Sequence, residues 1–143
     1  MKIEERLTKT GYHRCLQLCL LVGLSLFATK NAVATEYYVA TTGSDSNPGT
    51  QASPFATLQK GADTAVAGDT VWIRGGTYKI TTPKTSGAGI QLSKSGTSDT
   101  NRIKYWAYPG ETPLFDFTNL TISATGYTFG IVISGNWVHL KGI

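Results

Sequence analysis

The sequence predicts an all-β fold of the solenoid type opened by one short helix, and three observations point there. A single amphipathic helix precedes the main run of strands, in the position of a cap. Strands of three to seven residues follow, with irregular loops and no two-residue Asn-Gly or Asp-Gly hairpin between them. The sequence also stops at Ile143 inside an apolar strand, where a stacked coil would present an open edge. Strand pattern by itself suits a β-sandwich as well, so periodicity leaves that alternative standing.

The first 34 residues read as a secretory signal peptide. Lys2, Arg6, Lys9 and Arg14 form a basic leader, and Cys15 to Phe27 is an apolar run of 13 residues broken by one Gln. About 20 residues are needed to span a bilayer, so the run fits a signal-peptide core and not a membrane anchor. Ala32-Val33-Ala34 supplies the small-x-small cleavage pattern, placing the cut after Ala34. A secreted chain, extracellular or periplasmic and off the membrane once cleaved, is the expectation.

Removing the leader changes the charge balance. The whole sequence has 13 Lys and Arg against 9 Asp and Glu; residues 35–143 retain 8 and 7. A nucleic-acid surface needs a concentrated basic footprint, and an excess of one charge does not provide it. Cys15 and Cys19 both fall in the leader, so the mature chain has no cysteine for a disulfide framework. A monomer held by packing alone is expected.

Along residues 35–69, Glu36 to Ala40 is a β-prone run, and Thr41 to Thr50 is dense in Gly, Asp, Asn and Pro turn formers. From Pro54 to Val66 the period becomes helical, with Leu58, Ala62, Ala65 and Val66 on one stripe, Thr57 as N-cap and Gly68 as the C′ stop. Gly61 weakens this helix by roughly 1 kcal/mol relative to Ala, so packing has to hold it. Residues 70–143 are strand and turn. Extended runs are expected at Thr70–Arg74, Tyr78–Ile80, Gly89–Leu92, Arg102–Tyr108, Leu114–Phe117, Phe129–Ile133 and Trp137–Leu140, with Gly75-Gly76 making a corner. Val71, Ile90, Ile103, Phe115, Ile131 and Val138 are their apolar centres. At twenty-odd residues per coil, this part makes about three coils. The chain thus reads as the N-terminal part of a longer solenoid, incomplete at its C-terminus and of marginal stability.

Tyr37 to Tyr78 carries a specific resemblance, in Tyr37-Tyr38-Val39, the Gly43–Thr50 turn, Pro54–Thr57, the helix, Gly68–Val71 and Arg74–Tyr78. The stretch resembles the opening of right-handed parallel β-helix proteins, and most closely the pectate lyases of polysaccharide lyase family nine. Arg102 to Phe117 is similar to the next segment of that family. The resemblance implies cleavage of pectate, an acidic plant polysaccharide, by β-elimination. A lysine takes the C5 proton there, and Ca²⁺ on an aspartate cluster binds the uronate carboxylate. Family residues for those roles lie on later coils, so no catalytic residue and no metal ligand is assigned in this chain, and its substrate-binding residues are left open.

The local inventory is consistent with that. Ca²⁺ takes six to eight oxygen ligands, several of them carboxylates, whereas Glu36, Asp45, Asp63, Asp69, Asp99, Glu111 and Asp116 are all at least five residues apart. Turn chemistry accounts for Asp45 and Asp69, and Asp116 reads as solvated. His139, the one mature histidine, has no neighbouring ligand or nucleophile partner. Lys104 and Lys141 read as outward, solvated charges. Trp72, Trp106 and Trp137 have faces suited to the apolar side of a pyranose, although half-buried strand aromatics are the commoner use of such residues. A non-catalytic carbohydrate-binding or structural β-helix surface protein is the rival functional reading.

Overall fold

The computed structural model describes residues 33–84, 87–121 and 128–143; the expected leader lies outside them, apart from Val33 and Ala34. Eight strands and one helix follow in the order β1 (Glu36–Val39), α1 (Leu58–Thr64), β2 (Thr70–Ile73), β3 (Gly76–Lys79), β4 (Ala88–Leu92), β5 (Ile103–Ala107), β6 (Pro113–Asp116), β7 (Phe129–Ile133) and β8 (Val138–Lys141). Every strand pairing is parallel, in three separate sheets ordered β1-β2-β5-β8, β3-β6 and β4-β7. Successive coils therefore lie on one another as a parallel β-helix, and the sandwich alternative is removed. In the longest sheet Glu36 pairs with Thr70, Thr70 with Lys104 and Lys104 with His139, so a coil takes 34 or 35 residues there. That is longer than the twenty-odd expected, because each coil carries three strands and the loops between them.

Side chains alternate across each strand. Val39, Val71, Ile73, Ile103 and Tyr105 turn inward and are fully buried, joined by Ile90 and Leu92 from the β4 side. Stacking in register supplies the rest of the core: Ile90 lies opposite Ile131, Ile103 opposite Val138, and Tyr78 stacks on Phe115 at 5.2 Å between ring centroids. The Tyr78 hydroxyl is directed at the carbonyls of Arg74 and Val39, at 2.8 and 3.1 Å.

The first coil differs from the others in being closed off. Its turn segment folds back on β1: the Tyr38 amide donates to Gly49 O, the Ala40 amide to Phe55 O, and the Phe55 amide to Tyr38 O. This satisfies an edge that would otherwise be open. Gly49 has φ of +80°, and a Cβ there would stand 2.4 Å from the Phe55 ring, so this turn requires glycine. Helix α1 then covers the coil with Leu58, Gly61 and Ala62. Gly61 explains the low helix propensity: a Cβ would come within 2.8 Å of Val71 Cγ1 and 3.3 Å of Val39 Cγ2. The helix lies too close to the strand floor for a larger residue.

Thr57 is the N-cap as expected, accepting from the Lys60 amide at 3.1 Å. The helix ends sooner than its apolar stripe suggests, with Ala65 as C-cap. Val66 is 53 % exposed, and Gly68 (φ +94°) serves the following turn, not the helix C′ position. A buried carboxylate causes this early exit. Asp69, 2 % exposed, accepts from the Val66 amide through Oδ2 and from the Thr35 amide through Oδ1, each at 2.8 Å.

Candidate functional site

The outward positions of the sheet β1-β2-β5-β8 bring together most of the side chains with recognition chemistry. Register stacks Tyr38 on Trp72, Trp72 on Trp106 and Trp106 on Lys141. Strand alternation turns all four away from the core, because Val39, Ile73 and Tyr105 beside them point inward. Trp72 and Trp106 meet edge to face at 5.6 Å, and His139 meets Trp106 at 5.4 Å. Tyr108 extends the aromatic surface, 6.0 Å from Trp72 and 6.3 Å from Tyr38.

Cations frame these rings. Lys104 Nζ and Lys141 Nζ lie 5.6 and 5.4 Å from the centre of the Trp106 ring, within cation–π range. Arg74 covers the Tyr108 ring at 4.6 Å and Arg102 the Trp137 ring at 5.4 Å. The two arginines are neutralised locally. Arg74 makes a double contact with Glu111, whose carboxylate also accepts from the Gly75 amide at 2.6 Å. The Arg74 hydrogen bonds and then the Gly75 amide hold the Glu111 carboxyl below the usual carboxylate range. Arg102 is paired with Asp99. Among the described residues, neither Lys104 nor Lys141 has a carboxylate partner.

Sequence reasoning placed Lys104 and Lys141 outward, which holds, but missed that both converge on Trp106. The signal was present: Tyr38, Trp72, Trp106 and Lys141 recur at the 34- or 35-residue coil length. Trp137, 45 % exposed, precedes β8 with φ of 54°, an uncommon backbone for a bulky residue. His139 is a strand-face histidine against Trp106.

A second concave feature is an open groove of about 400 Å³ between α1 and the β3–β4 segment, edged by Lys60, Lys79, Lys84, Asp45 and Asp63. Its acids are already engaged. Asp63 pairs with Lys84 at 2.7 Å and accepts from Gln59. Asp45 accepts from the Ala56 and Thr57 amides and the Thr57 hydroxyl, fixing the N-cap residue of α1. Turn chemistry is thus sufficient for Asp45, whereas Asp69 is a buried structural acceptor and more than a turn former.

The same test can be put to Ca²⁺. Glu36 accepts from the Tyr38 hydroxyl, and Asp116, held below its ordinary range by the Thr118 hydroxyl and amide, is bound locally. With Asp45, Asp63, Asp69, Asp99 and Glu111 engaged as above, all seven side-chain carboxylates of residues 35–143 have protein donors. Among the described residues no three Asp, Glu, His or Cys side chains gather as a metal site. The residues present do not fit Ca²⁺.

Comparison with known proteins decides the family. The Pel9A-like, right-handed β-helix region matches residues 37–143. The chain belongs to this Pel9A-like family. "Pectate lyase PEL9" of Emericella nidulans is 38 % identical over 84 residues, covering 59 % of this chain and 19 % of that protein. "Uncharacterized protein YwoF" of Bacillus subtilis is 52 % identical over 74 residues, 52 % of this chain and 14 % of that one. A solved "Rhamnogalacturonan lyase" superposes with a TM-score of 0.70 at 34 % identity, covering 77 % of this chain and 28 % of that structure. The chain therefore spans about a fifth of the pectate lyase and just over a quarter of the solved lyase. The Pel9A-like relatives thus include a pectate lyase, and the structural neighbour shows the same fold carrying a related lyase name.

Proposed function

We propose that the chain supplies the first coils of a secreted polygalacturonate lyase that cleaves by Ca²⁺-dependent β-elimination, and that these coils alone do not cleave. The Pel9A-like family match over residues 37–143 carries this reading. Two observations support the inactivity: the chain covers only 19 % of the pectate lyase, and its carboxylates are committed to protein donors. No step of the elimination is assigned to a residue of this chain. Purified chain incubated with polygalacturonate and Ca²⁺ should give no rise in ultraviolet absorbance from unsaturated product. A Ca²⁺-dependent rise abolished by chelation would overturn the inactivity.

Export with cleavage after Ala34 has its own support in the fold. The new terminus would be Thr35, whose nitrogen already lies 2.8 Å from the buried Asp69 carboxylate. A terminal ammonium formed there meets an opposite charge in place, a charge-assisted bond stronger than the neutral one. Among the described residues no helix is long and apolar enough to cross a membrane. N-terminal sequencing of the product recovered outside an expressing cell should begin at Thr35; a chain retaining its first residues would contradict the cleavage.

The rival reading, a β-helix that binds carbohydrate without cleaving it, is favoured by one observation: the aromatic and cationic sheet face needs no metal to be complete.

A further inference from the structure

The outer face of β1-β2-β5-β8 has a property that folding does not require. Alternation turns every second strand residue of a stacked coil away from the core, and polar residues there would serve the fold as well. Instead, register places Tyr38, Trp72 and Trp106 in one column that crosses the coils. At the far end of the column, Lys104 and Lys141 bring two ammonium groups over one indole, 5.6 and 5.4 Å from its centre. The arginines nearby are cancelled by Glu111 and Asp99, and Glu36, at the β1 end of the same face, accepts from the Tyr38 hydroxyl; among the described residues Lys104 and Lys141 are the cations of this face that have no carboxylate partner.

We propose that this face binds a polyuronate chain laid across the coils, with Trp72 and Trp106 contacting pyranose rings and Lys104 and Lys141 pairing with uronate carboxylates. Charge complementarity selects the occupant. A neutral glycan would use the rings and leave both lysines unpaired, whereas a polyuronate offers a ring and a carboxylate at every residue. Spacing agrees as well. Neighbouring strands lie roughly 4.8 Å apart, and the Trp72 and Trp106 ring centres are 5.6 Å apart, a step close to the length of one sugar residue. Aromatic faces and cation–π pairs are most effective where the bound chain excludes water from them. This site deepens the proposed polysaccharide function and rests on it only for the choice of polygalacturonate as probe; it requires neither Ca²⁺ nor catalysis.

The test is binding of the full chain to polygalacturonate in excess chelator, followed by tryptophan fluorescence and by retardation in gels containing the polymer. Binding with a change in tryptophan emission is expected, weakening as salt is raised because the contacts are partly ionic. Lys104→Gln with Lys141→Gln should weaken binding roughly tenfold or more, equivalent to about 1.4 kcal/mol, with the far-ultraviolet circular dichroism and melting of the parent. Trp106→Ala should do the same, and the lysine variant keeps the test decisive should Trp106→Ala fail to fold. Lys79→Gln, on another sheet, should bind like the parent, and a neutral galactan should bind at least tenfold more weakly than polygalacturonate. Undiminished binding by the double lysine variant, or equal binding of the neutral polymer, would overturn the proposal. Failure of this site and failure of the lyase reading are separable. Loss of binding in the lysine variant with no cleavage by any longer form leaves the face standing and removes the lyase. Cleavage by a longer form with unchanged binding in the variant does the reverse.

Discussion

The first and the last described coils have similar strand sequences and very different environments. At the first coil, Val39, Phe55, Leu58, Ala62 and Val71 are at most 3 % exposed, beneath α1 and the turn segment. On the last described coil Phe129 and Ile133, in register with the buried Ala88 and Leu92, are 57 and 50 % exposed, although their strand is no less apolar. Burial in a stacked fold thus depends less on a strand's own pattern than on whether something lies against it. The α1 cap is what makes the difference at the first coil.

The largest test of that contrast is paired truncation of phenylalanines. Phe55→Ala should cost roughly 3–5 kcal/mol, because it empties a filled site against Tyr37 and Gly49. Phe129→Ala, from a residue 57 % exposed, should cost under about 1 kcal/mol. Urea unfolding of both variants measures the difference, and equal losses would break the comparison.

A pH titration comes next. Burial pushes the Tyr78 and Tyr105 hydroxyls up to about 12, against about 10 in an unfolded chain. Their neutral forms are favoured in the folded state, so this stability is complete below about pH 10 and is lost as pH rises towards 12. The loss is on the order of 2–3 kcal/mol for each ring. Tyr105→Phe should reduce the alkaline loss. It should also raise stability at neutral pH by about 1 kcal/mol, since the Tyr105 hydroxyl has no hydrogen-bond partner among the described residues. Urea midpoints at pH 8 and pH 11 separate the two effects.

The smallest effect concerns the contact between cap and floor. Gly61→Ala gains roughly 1 kcal/mol of helix propensity, yet its methyl meets Val71 at 2.8 Å. Overpacking costs typically 1–3 kcal/mol, so a net loss of about 1 kcal/mol is expected. A stabilised variant would show that α1 can lift from the strands and that the cap is looser than its geometry.

Much of this was legible in the sequence. The strands fell where alternation put them, to within a residue or two, and Thr57 was correctly read as the N-cap. Coil length was not legible, because three short strands per coil with unequal loops leave no simple repeat. The reach of α1 was also misjudged: Val66 fits the helical stripe, yet Asp69 takes its amide and ends the helix early. The candidate face was half visible. Trp72 and Trp106 were identifiable as sugar-competent aromatics, while Lys104 and Lys141 looked like ordinary surface charges until register placed them beside Trp106.

By itself the sequence determined the all-β class, the capping helix, the inward and outward sides of each strand and the Pel9A-like resemblance, because these rest on local periodicity and ordered motifs. Only the tertiary structure decided which outward residues stand together. Parallel stacking puts residues 34 or 35 positions apart into contact, and local alternation has no information about that distance. The same stacking buried Asp69 between Thr35 and Val66 and gathered rings and ammonium groups onto one sheet face.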